Sequence, residues 1–216
     1  MLIMSKVFVF GGSGRVATEL IKDLVDAGHT VTAAARHPEK IIALAGVTPV
    51  KMDLTQPLAD LTAAVKGHDA VYFVAGSRGK DLLQTDAMGA VKTMQAAEQA
   101  GIKRYLMLSS MYALQPEEWP KYEVLSQITD YNIAKFFADN YLISNTKLAY
   151  TILQPATLTE EAATGKVTFG VGDDTTNPIA DVAAVLAGLL EADNTIGKVI
   201  MMRAGETPIQ AAIAAV

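Results

Sequence analysis

Short runs of apolar and β-branched residues recur along the chain: KVFVF from Lys6, TVTAAA from Thr30, VTPVKM from Val47, AVYFVA from Ala70, RYLMLS from Arg104, AYTILQ from Ala149 and KVIMMR from Lys198. Each has the length and make-up of a strand. Between them, apolar positions repeat with helical spacing over 14–27, 58–66, 82–100, 122–144 and 179–192. Strands joined through helices run parallel by right-handed crossovers. The alternation therefore predicts an α/β fold, a doubly wound parallel sheet in a three-layer α/β/α arrangement. Gly28 and Gly101 follow the first and third helical segments directly, where a left-handed residue closes a helix, and Lys103 and Arg104 follow the second of these ends. The segment 157–178 is polar, glycine-bearing and without clear period, which predicts an excursion able to cap a ligand. One domain is expected over 1–216, with residues 156–216 contributing a small substrate lobe.

With 216 residues, 50% of them hydrophobic and 19% charged, the chain has the material for one large core. Its formal net charge of −5, without clusters of Lys or Arg, offers no footprint for nucleic acid or for an anionic membrane. No apolar run approaches the roughly 18 residues of a membrane span, and the opening MLIMSK lacks the pattern of a secretory signal. The expectation is a cytoplasmic protein, monomer or homodimer, acting on a small molecule. The absence of cysteine removes disulfides, thiolate metal sites and cysteine nucleophiles. His29, His37 and His68 show no metal-ligand spacing; they are expected at the surface, and no metal is expected.

The first apolar run gives way to Gly11-Gly12-Ser13-Gly14-Arg15-Val16-Ala17, a G-x-x-G-x-x-A spacing between a strand and an amphipathic helix. A helix starting there presents unpaired N–H groups and the positive end of its dipole to a diphosphate, provided that side chains leave the backbone open. Gly11 is expected to allow the tight turn, Gly14 the close approach and Ala17 close packing of helix on strand. Ser13, Arg15 and Val16 complete the cradle. A Walker loop is excluded because no Gly-Lys-Ser/Thr begins the helix, and a nucleophile elbow because position 15 is Arg. At the end of the second strand, where an NAD site usually carries an acidic residue, this chain has Arg36, whose fork of donors suits a 2′-phosphate. That favours NADP, with NAD possible, and Arg15 is expected to add charge near the same phosphate. Asp53 and Leu54, after the third strand, are candidates for the adenine edge; the alternative for Asp53 is the organisation of a turn.

This glycine spacing, Arg36, Asp53-Leu54, YFVAG ending at Ala75 and Gly76, LSS ending at Ser109 and Ser110, and YNIAK from Tyr131 to Lys135 together resemble the short-chain dehydrogenase/reductase superfamily. DAMGAVKTMQAAEQAGIKRYLMLSS, AYTILQPATLTEE and NPIADVAAVL narrow the resemblance to its small atypical members, the NmrA-like and sugar-epimerase-like proteins, across nearly the whole chain. The resemblance implies a seven-stranded Rossmann sheet of order 3-2-1-4-5-6-7 holding one dinucleotide. It places Ala75 and Gly76 beneath the adenosine ribose and Pro155 beside the nicotinamide, with backbone contacts from Ala156 and Thr157.

Tyr131 and Lys135 are four apart, so a helix sets them on one face. A phenol alone releases its proton well above neutral pH, and a neighbouring ammonium favours the phenolate, which suits the pair to acid–base work on a carbonyl or alcohol. By resemblance Lys135 also holds the nicotinamide ribose. The resemblance also implies a third catalytic hydroxyl just beyond the fifth strand, where Met111 interrupts the pattern; Ser110 is the preferred substitute and Ser109, also a cofactor contact, the second. Trp119 either borders the substrate space or anchors packing. The activity implied is NADP-dependent reduction of a small carbonyl or oxidation of an alcohol. The alternatives are an NmrA-like NADP sensor and, less favoured because the C-terminal part is short, a sugar-nucleotide epimerase or dehydratase.

Overall fold

The computed structural model describes residues 4–172 and 176–216. The first three residues, part of the opening read above as no signal, and 173–175, part of the expected excursion, lie outside the described residues. In chain order the elements are β1 (Lys6–Phe10), α1 (Arg15–Asp26), β2 (Thr30–Ala35), β3 (Val47–Lys51), α2 (Leu58–Val65), β4 (Ala70–Phe73), α3 (Met88–Gln99) and β5 (Arg104–Leu108). There follow α4 (Glu123–Gln127), α5 (Thr129–Asn145), β6 (Ala149–Pro155), β7 (Thr157–Thr159), β8 (Lys166–Phe169), β9 (Thr176–Pro178), α6 (Ile179–Gly188), β10 (Lys198–Ala204), β11 (Thr207–Pro208) and α7 (Ile209–Ala214).

The main sheet has the order β11-β8-β10-β6-β5-β4-β1-β2-β3. From β3 to β10 every pairing is parallel, which is the seven-strand order implied by the resemblance; β8 and β11 extend it with antiparallel pairings. The physical reason lies in alternation along strands that are covered on both faces. In β1, Val7 and Val9 pack with Leu20, Leu24, Val182 and Leu186 in one layer, whereas Phe8 and Phe10 pack with Leu61, Met94 and Leu142 in the other. The outer strand β3 is largely exposed and carries Pro49, a residue that an edge tolerates because it has no N–H to donate.

Gly28, with φ 92°, closes α1 as expected: its N–H bonds the carbonyl of Val25 at 2.9 Å, and the N–H of His29 bonds that of Leu24 at 3.0 Å. Arg104 does not serve the helix before it. Its guanidinium bonds the carbonyls of Leu189 and Leu190 at the end of α6, together with Ala149 O and Thr151 Oγ1 at 2.9 Å each. Strand β5 is thereby tied to the end of the helix that packs over β1 and β4.

Four sequence expectations change. The helix over 82–100 begins as a π-turn, 82–87, which inserts the buried side chain of Asp86 under the chain after β4. The helix over 122–144 breaks at Ile128 (φ −120°, ψ 37°) into α4 and α5. Within 157–178 lie β7, β8 and β9, short strands held by pairing with neighbours rather than by a repeating apolar face. His29 is also buried, 6% exposed, where its Nδ1 accepts from the N–H of Ser5; His37 is exposed beside Glu39, and His68 is half-buried with Nε2 2.9 Å from Thr32 Oγ1.

Candidate functional site

The site lies past the C-terminal ends of the parallel strands, where the order reverses between β1 and β4, the position at which doubly wound sheets bind ligands. Gly11 turns the chain with φ 89°, and the N–H groups of Gly11 and Gly12 both bond Ala34 O, at 3.0 and 2.9 Å. A Cβ on Gly11 would stand 2.5 Å from Ala75 Cα, and one on Gly12 would stand 2.8 Å from Ala33 Cβ. The close approach expected of Gly14 is thus made at Gly11 and Gly12. Gly14 is the N-cap of α1, without a capping side chain and with no acid in the first turn. Ala17, fully buried, packs with Val7 and Val9 as expected of it. The N–H groups of Arg15 and Val16 at the helix start have no acceptor among the described residues, the donor arrangement that an anion fits. Side chains at Gly11 or Gly12 would fill this cradle, and their absence makes the turn fit a dinucleotide diphosphate.

A cleft of about 200 Å³ extends from the turn over the ends of β1 and β2. Ser13, Arg36, Asp53, Leu54, Ala75 and Gly76 line it. Arg36 is exposed on its wall. Asp53 is engaged in a turn: its Oδ1 accepts from Thr55 N at 2.9 Å and Thr55 Oγ1 at 2.8 Å, bonds that hold its pKa below the usual carboxylate value. Asp53 thus organises the turn through Oδ1, the alternative given for it above, and it also lines the cleft.

Across Ala75 and Gly76, which border both spaces, opens a larger cavity of about 650 Å³. Tyr131 and Lys135 line it on the first turns of α5, and Ser110, Pro155, Ala156 and Thr157 face it from the ends of β5 and β6. The Lys135 ammonium lies 5.6 Å from the centre of the Tyr131 ring and donates to Leu108 O at 3.3 Å. Lys135 itself is 2% exposed, so its charge acts in a poorly solvated setting. The Ser110 hydroxyl has no hydrogen-bond partner among the described residues.

Ser109 is a correction. It lines the large cavity, but its hydroxyl donates to Asp139 Oδ2 at 2.8 Å, so its proton is engaged within the protein and is not offered to a carbonyl oxygen. Met111 is buried against Trp119 and Leu125 and presents an apolar surface to the cavity. Trp119 proves to be a packing anchor, 9% exposed, with Nε1 donating to Tyr112 O at 2.8 Å. Arg15 faces the large cavity and pairs with Glu160 at 2.6 Å, so it does not share the cleft of Arg36 as expected. Arg78 was not foreseen. It lines both spaces with φ 55°, on a chain pinned where Ser77 N donates to the buried Asp86 at 3.0 Å; the adjoining Gly79 was the only sequence signal of an unusual turn. No group of three His, Asp or Glu suited to a metal occurs among the described residues, and no described helix is long and apolar enough to cross a membrane.

Asp139 lies one helical turn beyond Lys135, wholly buried, and also accepts from Gln154 Nε2 at 2.9 Å. Burial pushes its pKa up to about 6, against the pull of the Gln154 and Ser109 bonds and of the Lys135 charge. An unfolded carboxyl titrates near ~3.9, so the folded state holds this proton more firmly. The stability that the group contributes is complete below about pH 4 and is lost as pH rises through about 6, on the order of 3 kcal/mol in all. Asp139→Asn is expected to flatten that component, seen as a smaller difference between urea midpoints at about pH 5 and pH 7 than in the parent.

A family model described as NAD(P)H-binding matches residues 11–193. Over 217 residues the chain is 34% identical to the uncharacterized sugar epimerase YhfK of Bacillus subtilis, covering 96% of this chain and 98% of that protein. The solved structure of the oxidoreductase ylbE from Lactococcus lactis matches with a TM-score of 0.93 at 41% identity, over 98% of this chain and 96% of that one. A Bacillus halodurans protein, provisionally named an NAD-dependent epimerase/dehydratase, matches with a TM-score of 0.85 at 32% identity, over 98% of this chain and 100% of that one. Since the family match takes in the open glycine turn and the Tyr131–Lys135 helix alike, the chain belongs to the NAD(P)H-binding family.

Proposed function

We propose that the protein is an NADP(H)-dependent oxidoreductase that interconverts a small carbonyl compound and its alcohol. The observation that carries this reading is the buried Lys135 beside Tyr131 on the wall of a cavity that adjoins the nucleotide cleft. In the reductive direction Tyr131 gives its proton to the carbonyl oxygen, while the Ser110 hydroxyl donates a hydrogen bond to the same oxygen. The Lys135 charge stabilises the phenolate left behind. A reduced nicotinamide held beside these residues would supply the hydride for the carbonyl carbon, so that the C=O double bond would become a C–O single bond with one new C–H and one new O–H bond. Arg15 and Val16 N–H groups, with Arg78 between the two spaces, would hold the diphosphate.

Arg36 supports NADP over NAD, because a guanidinium bonding a phosphate adds two charge-assisted hydrogen bonds. NADPH is expected to bind about 10- to 100-fold more tightly than NADH, and Arg36→Ala to remove most of that difference in calorimetric titration. Equal affinities in the parent protein would reject the assignment. Met111, at the place expected for a hydroxyl, favours a second reading: cofactor sensing without turnover. A single-turnover measurement with a panel of carbonyls distinguishes the two, since a sensor leaves bound NADPH unoxidised.

A further inference from the structure

The half of the large cavity beyond the nucleotide cradle is lined mainly by apolar side chains. Tyr122, Val124, Leu125 and Ile128 form one wall, from the chain entering α4 to the break before α5, and Met111 and Leu158 stand among the other lining residues. Several polar groups in and behind this wall are bonded within the protein. Tyr112 and Tyr122 share a hydrogen bond between their hydroxyls at 2.9 Å with their rings stacked, Trp119 is bonded to Tyr112 O, and Ser109 is bonded to Asp139.

The charged lining residues are similarly engaged or peripheral. Arg15 pairs with Glu160 and Lys121 with Glu118 at 2.7 Å, Lys135 donates to Leu108 O, Glu123 is exposed and takes the Gln127 amide, and Arg78 stands on the boundary with the nucleotide cleft. The lining hydroxyls left without a partner among the described residues are those of Ser110, Tyr131 and the exposed Thr157.

We infer that this space takes an apolar aldehyde or ketone whose carbonyl oxygen is its principal hydrogen-bonding group, and not a sugar. The inference rests on the oxidoreductase reading and names its substrate class. Ser110 and Tyr131 satisfy one carbonyl oxygen between them. A sugar brings a hydroxyl on nearly every carbon, and each would lose water against Met111, Leu125, Ile128 and Leu158 without gaining a partner. An alkyl or aryl body gains from the same surface. The reduction balances as described above: hydride to the carbonyl carbon from a reduced nicotinamide dinucleotide, proton to the oxygen from Tyr131.

With NADPH, kcat/KM for straight-chain aldehydes is expected to rise about fourfold per added methylene from propanal towards heptanal, and aldoses and nucleotide sugars to be poor substrates. A second readout does not depend on turnover. The emission of Trp119, the single tryptophan, which packs behind Met111 and Leu125, is expected to respond to 1-hexanol and not to sorbitol. Ile128→Gln, at a partly exposed position where folding is preserved, is expected to weaken the hexanol response about fivefold or more. A rate indifferent to chain length, or sorbitol matching hexanol, would overturn the inference. Turnover of hydroxylated carbonyls in preference to alkanals would overturn it while leaving the oxidoreductase reading in place. Hexanol binding with no carbonyl turned over would remove the oxidoreductase reading, and the carbonyl substrate with it.

Discussion

Tyr131→Phe is expected to lower carbonyl turnover by about 10²- to 10⁴-fold, the range by which a positioned proton donor accelerates such a step, while NADPH affinity stays within about twofold. The substitution removes one oxygen and keeps the ring that faces the Lys135 ammonium, so the packing of α5 is retained. KM for the carbonyl is expected to change little, because the interaction lost is strongest in the transition state. Stopped-flow oxidation of bound NADPH by a good aldehyde, together with calorimetry of NADPH alone, gives both quantities. An unchanged rate would assign the proton to another group, and a loss of cofactor binding would make Tyr131 a structural residue.

Gly11→Ala is expected to have the second large effect, on both folding and cofactor binding. The new methyl group would meet the Ala75 backbone at 2.5 Å, and a non-glycine residue at φ 89° is strained in addition. Neither backbone can yield cheaply, since Gly11 N is bonded to Ala34 O and Ala75 is joined to the buried strand β4. The expected cost is on the order of 2–5 kcal/mol, as strain and overpacking together. Gly28→Ala is the matched control: φ is 92°, yet nothing stands within 4 Å of the added carbon. It is expected to cost about 1–2 kcal/mol from strain alone and to leave NADPH affinity intact. Denaturant midpoints and dinucleotide titrations of the two variants check this contrast; similar effects on cofactor binding would show that crowding against Ala75 is unimportant.

The parallel strands were legible because strands covered on both faces read as nearly unbroken apolar runs, as in KVFVF and RYLML. The glycine turn was legible because a strand, three glycines in four positions and an amphipathic helix occur in immediate succession. Other features depend on partners far away in the chain. Ser109 finds Asp139 thirty residues on, and Arg15 finds Glu160 across 145, so their composition gave no warning of either pairing. The π-turn at 82–87 escaped notice because six residues of π periodicity look much like α periodicity. Strands β7, β8, β9 and β11 are two to four residues long and partly exposed; their order comes from hydrogen-bonded neighbours, which no local pattern records.

The parallel pairing of β10 with β6, from Lys198↔Thr151 to Met202↔Pro155, has a consequence for biosynthesis. While residues beyond 195 are still within the ribosome, the nascent chain holds β6, with its five buried residues, as a sheet margin lacking its hydrogen-bonding neighbour. Such a margin is a template for intermolecular pairing. Chains released early at that point are therefore expected to aggregate rather than to persist as smaller nucleotide binders.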